Sequence, residues 1–268
     1  MSKVGYERRG SAAVLTITRP ERRNAVDDET ATLLLERFHE FEADDDARAL
    51  VLAGEGPEAF CAGADLKALA ERAEAFGGDD PAAAVDSWLR DRPGGPLGFT
   101  RLRASKPTIA AISGWCLAGG LELALWCDLR IATRDARLGF TERRFGVPLI
   151  DGGTQRLPRI VGVGRAVEMI LTGRLVDAEE ALGWGLVNEI VEPGRHLDRA
   201  LQIAEGLAGF PQRTMLSDRR AALEGIGLPF DQGLELEARL GRDSVITGVA
   251  GAARFASGEG RGGAGAGV

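Results

Sequence analysis

The sequence predicts an α/β chain that ends in a helical layer. Up to about residue 196, short apolar runs bounded by glycine and proline alternate with stretches of helical apolar period. From residue 197 only the helical period continues, and the chain closes on the glycine-rich SGEGRGGAGAGV. The expected division is a strand–helix core over 1–196, a helical region over 197–255 and a disordered tail over 256–268.

Taken in order, SAAVLTIT (11–18) reads as the first strand, closed by Pro20. Asp27 is placed to cap a helix whose apolar stripe is Leu33, Leu34, Phe38 and Phe41. ARALVLAGEG gives a second strand ended by glycines, and another helix begins near Asp65. The segment 71–97, rich in acids, glycine and proline, is expected to be a mobile excursion over a site, with Phe76, Trp88 and Leu89 supplying apolar bulk. KPTIAAISG and DLRIAT are further strands, and AVEMILTGRLVDAEEALGWGLVNEIVEP reads as helix, short extended turn, helix and strand. Strands and helices of these lengths make βαβ units with right-handed crossovers.

Composition removes several classes of function. A net charge of -7 argues against a nucleic-acid binder, which needs a concentrated positive surface. No apolar stretch reaches the roughly 20 residues that span a bilayer, and MSKVGYERRG has no hydrophobic run behind its charges, so a cytoplasmic protein without membrane association is expected. Cys61, Cys116 and Cys127 are odd in number and match no zinc spacing, which implies reduced thiols, with Cys116 and Cys127 in the core. The two histidines, His39 and His196, read as surface or helix-flank residues; no GxSxG elbow accompanies them, so acid–base work falls to carboxylates and no metal is expected. GVGRAV (162–167) lacks the third glycine of a dinucleotide fingerprint and reads as a helix start.

Two turns stand out. In FCAGADLKALA, Gly63 and Ala64 precede a helix; in GWCLAGGLELALWCD, Gly119 and Gly120 do. Small residues admit a ligand to the backbone, and a helix start offers unpaired N–H groups. Facing each other, such turns would aim two donors at one oxygen. Glu122 follows the second turn within an apolar run, as a capping acid or as a reactive one. Glu142 lies in LGFTERRFGVPLIDGGTQRLPRIVG, as a surface acid beside Arg143 and Arg144 or as a second reactive group.

These blocks, with LTGRLVDAEEALGWGLVNEIV after them, resemble the enoyl-CoA hydratase/isomerase (crotonase) family, in the same order from ITRPERRNAV to GLVNEIV. The resemblance implies a spiral of repeated ββα units holding a coenzyme A thioester. It implies that the N–H groups of Ala64 and Gly119 form an oxyanion hole, that Glu122 activates water and that Glu142 delivers a proton to the carbon beside the thioester. Ala62, Asp65, Leu66 and Lys67 would line the substrate site, and Arg22 and Arg23 would be phosphate partners. No cofactor is implied beyond the coenzyme A of the substrate. A homotrimer or homohexamer is implied, consistent with the apolar Leu223, Ile226, Leu228, Phe230 and Leu234 of the C-terminal layer. The chain departs from the pattern at Thr141, Arg143 and Arg144, and Leu149 and Ile150 stand where hydratases carry Pro-Gly. Asp151 is a third candidate acid, with either a direct role or a turn-capping one. The reading is an enoyl-CoA hydratase; the alternatives are an isomerase of the same family and a non-catalytic acyl-CoA binder.

Overall fold

The computed structural model describes residues 2–71 and 80–258. Phe76 and residues 259–268 of the expected tail lie outside the described residues. The chain divides into two compact units, Met1–Leu201 and Gln202–Val268.

In the first unit, β1 (Val4–Arg9), β2 (Ala12–Ile17), β3 (Ala49–Gly54), β5 (Thr108–Ile112), β7 (Leu129–Thr133) and β10 (Glu189–Val191) form one sheet in the order β1-β2-β3-β5-β7-β10. β3 and β5 are buried at every residue, as strands covered on both faces are, and they pair in parallel from Leu50↔Thr108 to Ala53↔Ala111. β1, which the sequence reading passed over, pairs antiparallel with β2, Val4 opposite Ile17. Its segment VGYERR runs from buried to exposed, which suits the edge of the sheet.

A second sheet is built from short pieces: β4 (Ala59–Cys61), β6 (Trp115–Leu117), β8 (Arg137–Gly139) and β9 (Val176–Asp177), in that order. The chain therefore repeats one move. β3 goes to the large sheet, β4 to the small sheet, and a helix α2 (Leu66–Ala70) follows; β5 and β6 do the same before α4 (Gly119–Trp126). β7 and β8 repeat it before a 3₁₀ turn (Thr141–Phe145) and α5 (Gly153–Val161). This is the expected spiral of ββα units, and it brings the ends of β4, β6 and β8 side by side.

The helices α1 (Asp28–Ala43), α3 (Pro81–Arg90), α6 (Val163–Thr172) and α7 (Ala178–Gly183) complete the unit. Phe38 of α1, Phe99 and Trp126 of α4 interlock in its core, Phe99 and Trp126 with ring centroids 4.5 Å apart. Cys61, Cys116 and Cys127 are buried free thiols, and burial pushes the Cys61 thiol up to about 12. Gly120 is dictated by packing: a Cβ there would stand 2.0 Å from the Cys61 carbonyl oxygen.

α8 (His196–Ala208) crosses the boundary between the units. His196 opens it, at the helix flank but buried rather than on the surface, and burial lowers its pKa. The second unit continues with α9 (Gln212–Gly225), α10 (Phe230–Gly241) and α11 (Val245–Ala256). Between α9 and α10 lies an open cleft of about 320 Å³ lined by Ala221, Ala222, Leu228 and Leu234. Phe230 and Ile246 are 79% and 78% exposed, so these helices carry large apolar side chains that the unit itself leaves uncovered.

Candidate active site

The first turn is braced from below. β4 ends at Cys61, Gly63 takes φ +90°, and Asp65 caps α2 by accepting Lys67 N at 3.1 Å. Val26 N donates to Gly63 O (2.8 Å) and Asp65 N to Val26 O (2.9 Å). The N–H of Ala64 lies between these two bonds and has no protein acceptor among the described residues. Beneath the turn, the buried guanidinium of Arg19 bridges Asp65 Oδ2 (2.9 Å) and Asp27 Oδ2 (3.1 Å) and donates to Ala25 O. Burial pushes Asp27 up, yet Lys3 and the Thr30 donors hold it down at about 2, so this acid stays charged and keeps its grip on Arg19. The sequence reading missed Arg19; its place before Pro20 gives no sign of a partner 46 residues away.

The second turn is strained. Between β6 and α4, Ala118 takes φ 52° and ψ -128°, a region that alanine rarely enters, and it is held there by its N–H bond to Gly139 O at 2.8 Å. The bend points the first N–H of α4, that of Gly119, away from the helix, with no protein acceptor among the described residues. The two turns touch: a Cβ added to Gly63 would stand 2.7 Å from Gly119 N. The turns that carry Ala64 and Gly119 therefore lie against each other.

Glu122 sits one turn along α4, 3% exposed. It does not cap its own helix. Its Oε1 accepts N–H bonds from Asp151 (3.0 Å) and Gly153 (2.7 Å), on the loop entering α5. Burial raises its pKa to about 7 against the pull of those N–H groups, with the Asp151 and Glu142 charges adding to the rise.

Glu142, in the 3₁₀ turn after β8, is buried rather than a surface acid, and neither of its carboxyl oxygens has a hydrogen-bond partner among the described residues. The 3₁₀ turn separates it from its neighbours: Arg143 and Arg144 are exposed, and Arg143 Nε donates to Ile170 O. Burial raises the Glu142 pKa as well. Asp151 is 3% exposed and also pushed up by burial.

The outer candidates are more open. Lys67 and Leu66 are exposed on α2, Ala64 is exposed and Ala62 half-buried beside it. Arg22 and Arg23 are exposed beyond β2, and Arg23 is paired with Glu58 at 3.1 Å. From the 71–97 excursion, Trp88 and Leu89 are half-buried on α3, and Arg92 ties the segment to Asp28 at 2.9 Å. Leu97 closes on the Gly119 turn, its Cδ1 2.6 Å from where a Gly119 Cβ would stand. Among the described residues no group of three or more His, Cys, Asp and Glu could hold a metal ion, and no helix is long and apolar enough to cross a membrane.

Two touching turns, each with a backbone N–H that has no protein acceptor among the described residues, in a unit that also buries Glu122 and Glu142, suit an acyl thioester whose oxygen gains charge. The sequence matches the enoyl-CoA hydratase/isomerase family over residues 7–240. The chain belongs to that family. Among its relatives, the (E)-benzylidenesuccinyl-CoA hydratase of Thauera aromatica is 37% identical over 222 residues, 83% of this chain and 82% of that protein. The short-chain-enoyl-CoA hydratase of Clostridium acetobutylicum is 35% identical over 89% of this chain and 87% of its own length. The crystal structure of an enoyl-CoA hydratase from Mycobacterium marinum superimposes with a TM-score of 0.84 at 32% identity, covering 96% of both chains. As a family member the chain shares the crotonase fold of these hydratases, with a helical C-terminal region.

Proposed function

We propose that this chain is an enoyl-CoA hydratase that adds water reversibly across the double bond of a 2-enoyl-CoA thioester. Its relatives support an enzyme of the hydro-lyase type. The observation that carries the reading is the pair of buried acids, Glu122 and Glu142, with raised pKa values, together with two backbone N–H groups that have no protein acceptor among the described residues. Ala64 N–H and Gly119 N–H receive the thioester oxygen and stabilise the enolate. Ionised Glu122 takes a proton from water as the water oxygen bonds to C3. Protonated Glu142 gives its proton to C2, and in the reverse direction each step runs backwards. One acid charged and one neutral is the state that two carboxyls in an apolar pocket favour. Ala62, Asp65, Leu66 and Lys67 line the approach, with Lys67, Arg22 and Arg23 as cations for the coenzyme A phosphates; the substrate brings the coenzyme, and no other cofactor takes part.

A pH profile tests the acid–base pairing. Because Glu122 must be ionised and Glu142 protonated, kcat/KM is expected to rise with pH as Glu122 ionises and to fall again as Glu142 does, burial raising both acids from the ordinary carboxylate range. A flat profile from pH 5 to 9 would refute the assignment.

The buried free thiols fit a reducing, cytoplasmic setting, which cell fractionation tests. The uncovered apolar side chains of α9 to α11, Phe230 and Ile246 foremost, support a homotrimer or homohexamer. Light scattering at micromolar concentration is expected to return three or six times the chain mass, and a monomer mass would end the idea.

A further inference from the structure

Asp151 is a buried acid that this chemistry does not use, yet it touches more of the site than any turn-capping role needs. Its N–H is one of the two that hold Glu122 Oε1. Its Oδ1 accepts Leu97 N at 3.1 Å and the Thr100 hydroxyl, both on the loop that presses Leu97 against Gly119. Arg156 of α5 closes the web, donating to Asp151 O at 2.8 Å and to Thr100 O at 2.5 Å. Backbone and side chain of one residue thus join the base to the loop beside the oxyanion turn. We propose that Asp151 is a positioning residue, whose carboxylate clamps the Leu97–Thr100 loop to the Asp151–Gly153 loop and so holds Glu122 in register with the Ala64 and Gly119 donors.

The clamp is a matter of acceptor geometry. Leu97 N is buried, and without Asp151 Oδ1 it would lose its partner. An asparagine oxygen could accept the same two bonds. Charge and geometry are therefore separable by Asp151→Asn, whereas Asp151→Ala removes both. Three charged groups face Glu122: Asp151 and Glu142, which raise its pKa, and Arg156 from α5. Removing the Asp151 charge alone moves the acid limb of the pH profile down.

The inference rests on the hydratase reading, so wild type and Glu122→Gln are assayed beside D151N, D151A and Thr100→Val for kcat, KM, pH profile and melting temperature. Misplacing a catalytic group can cost about 10²-fold, so D151A is expected to lose kcat on that scale and Thr100→Val about tenfold, with KM little changed. D151N should keep kcat within about threefold, because the clamp survives, and its acid limb should shift down. D151N as damaged as D151A would make the carboxylate a proton-transfer group and overturn the proposal. So would an unmoved limb in D151N, or D151A with wild-type kcat. Should D151A fail to fold, Thr100→Val decides, since a fall in kcat at unchanged melting temperature supports the clamp and an unchanged kcat sinks it. A wild type that hydrates no 2-enoyl-CoA, or a fully active Glu122→Gln, defeats the hydratase reading instead and takes the clamp with it.

Discussion

Glu122→Gln is expected to lower turnover by about 10²–10⁴-fold, the scale of a positioned acid or base, while binding of a saturated acyl-CoA survives. Gln keeps an oxygen for the N–H groups of Asp151 and Gly153, so the loop entering α5 stays in place and only the titrating carboxyl is lost. The same substitution should stabilise the fold. An unfolded Glu ionises near 4.5 and the folded Glu122 at about 7, so between these values the folded chain binds more protons and wild-type stability falls as pH rises. Gln escapes this penalty. The variant is expected to unfold later than wild type above pH 7, by on the order of 1–3 kcal/mol, with the difference gone below pH 4. Denaturant melts at pH 4 and pH 8 measure it, and a variant that is less stable at pH 8 would show that the burial of Glu122 is not what raises its pKa.

Glu142→Gln is expected to cost a similar factor, about 10² or more in kcat, by removing the proton bound for C2. Neither oxygen of Glu142 has a protein partner among the described residues, so this change should leave the fold almost untouched. Steady-state rates with hydration and isomerisation monitored separately decide what the acids do. Loss in both variants fits water addition by two carboxylates. Loss in one and silence in the other, with a 3-enoyl-CoA converted, is the signature of a single acid moving a proton between carbons.

How much of this was legible in the sequence follows from the distance over which each feature is determined. The Gly119-Gly120 turn and Glu122 two residues later are local, and one helical turn places them correctly. The long strands announce themselves as unbroken apolar runs, AAVLTI, ALVLAG and TIAAI. β1 did not, because VGYERR has an edge strand's exposed charges. Glu142 beside two arginines reads as solvated; only the 3₁₀ turn sends it inward and them outward. Least legible were the long-range braces. Arg19 to Asp65 spans 46 residues and Leu97 to Asp151 spans 54, and no periodicity links such pairs. The loop in which Leu149 and Ile150 replace a Pro-Gly pair is also tied down by bonds that no local pattern announces. Asp151 and Gly153 supply the N–H groups that hold Glu122, and Arg101 secures the Ile150 carbonyl at 3.0 Å.

The central claim is that water oxygen ends on the substrate by way of Glu122. A 2-enoyl-CoA incubated with the enzyme in H₂¹⁸O and examined by mass spectrometry tests it most directly. The expected result is a 3-hydroxyacyl-CoA carrying one ¹⁸O with wild type, formed at least about 10²-fold more slowly with Glu122→Gln. Conversion between 2-enoyl and 3-enoyl isomers without any gain of oxygen would contradict it.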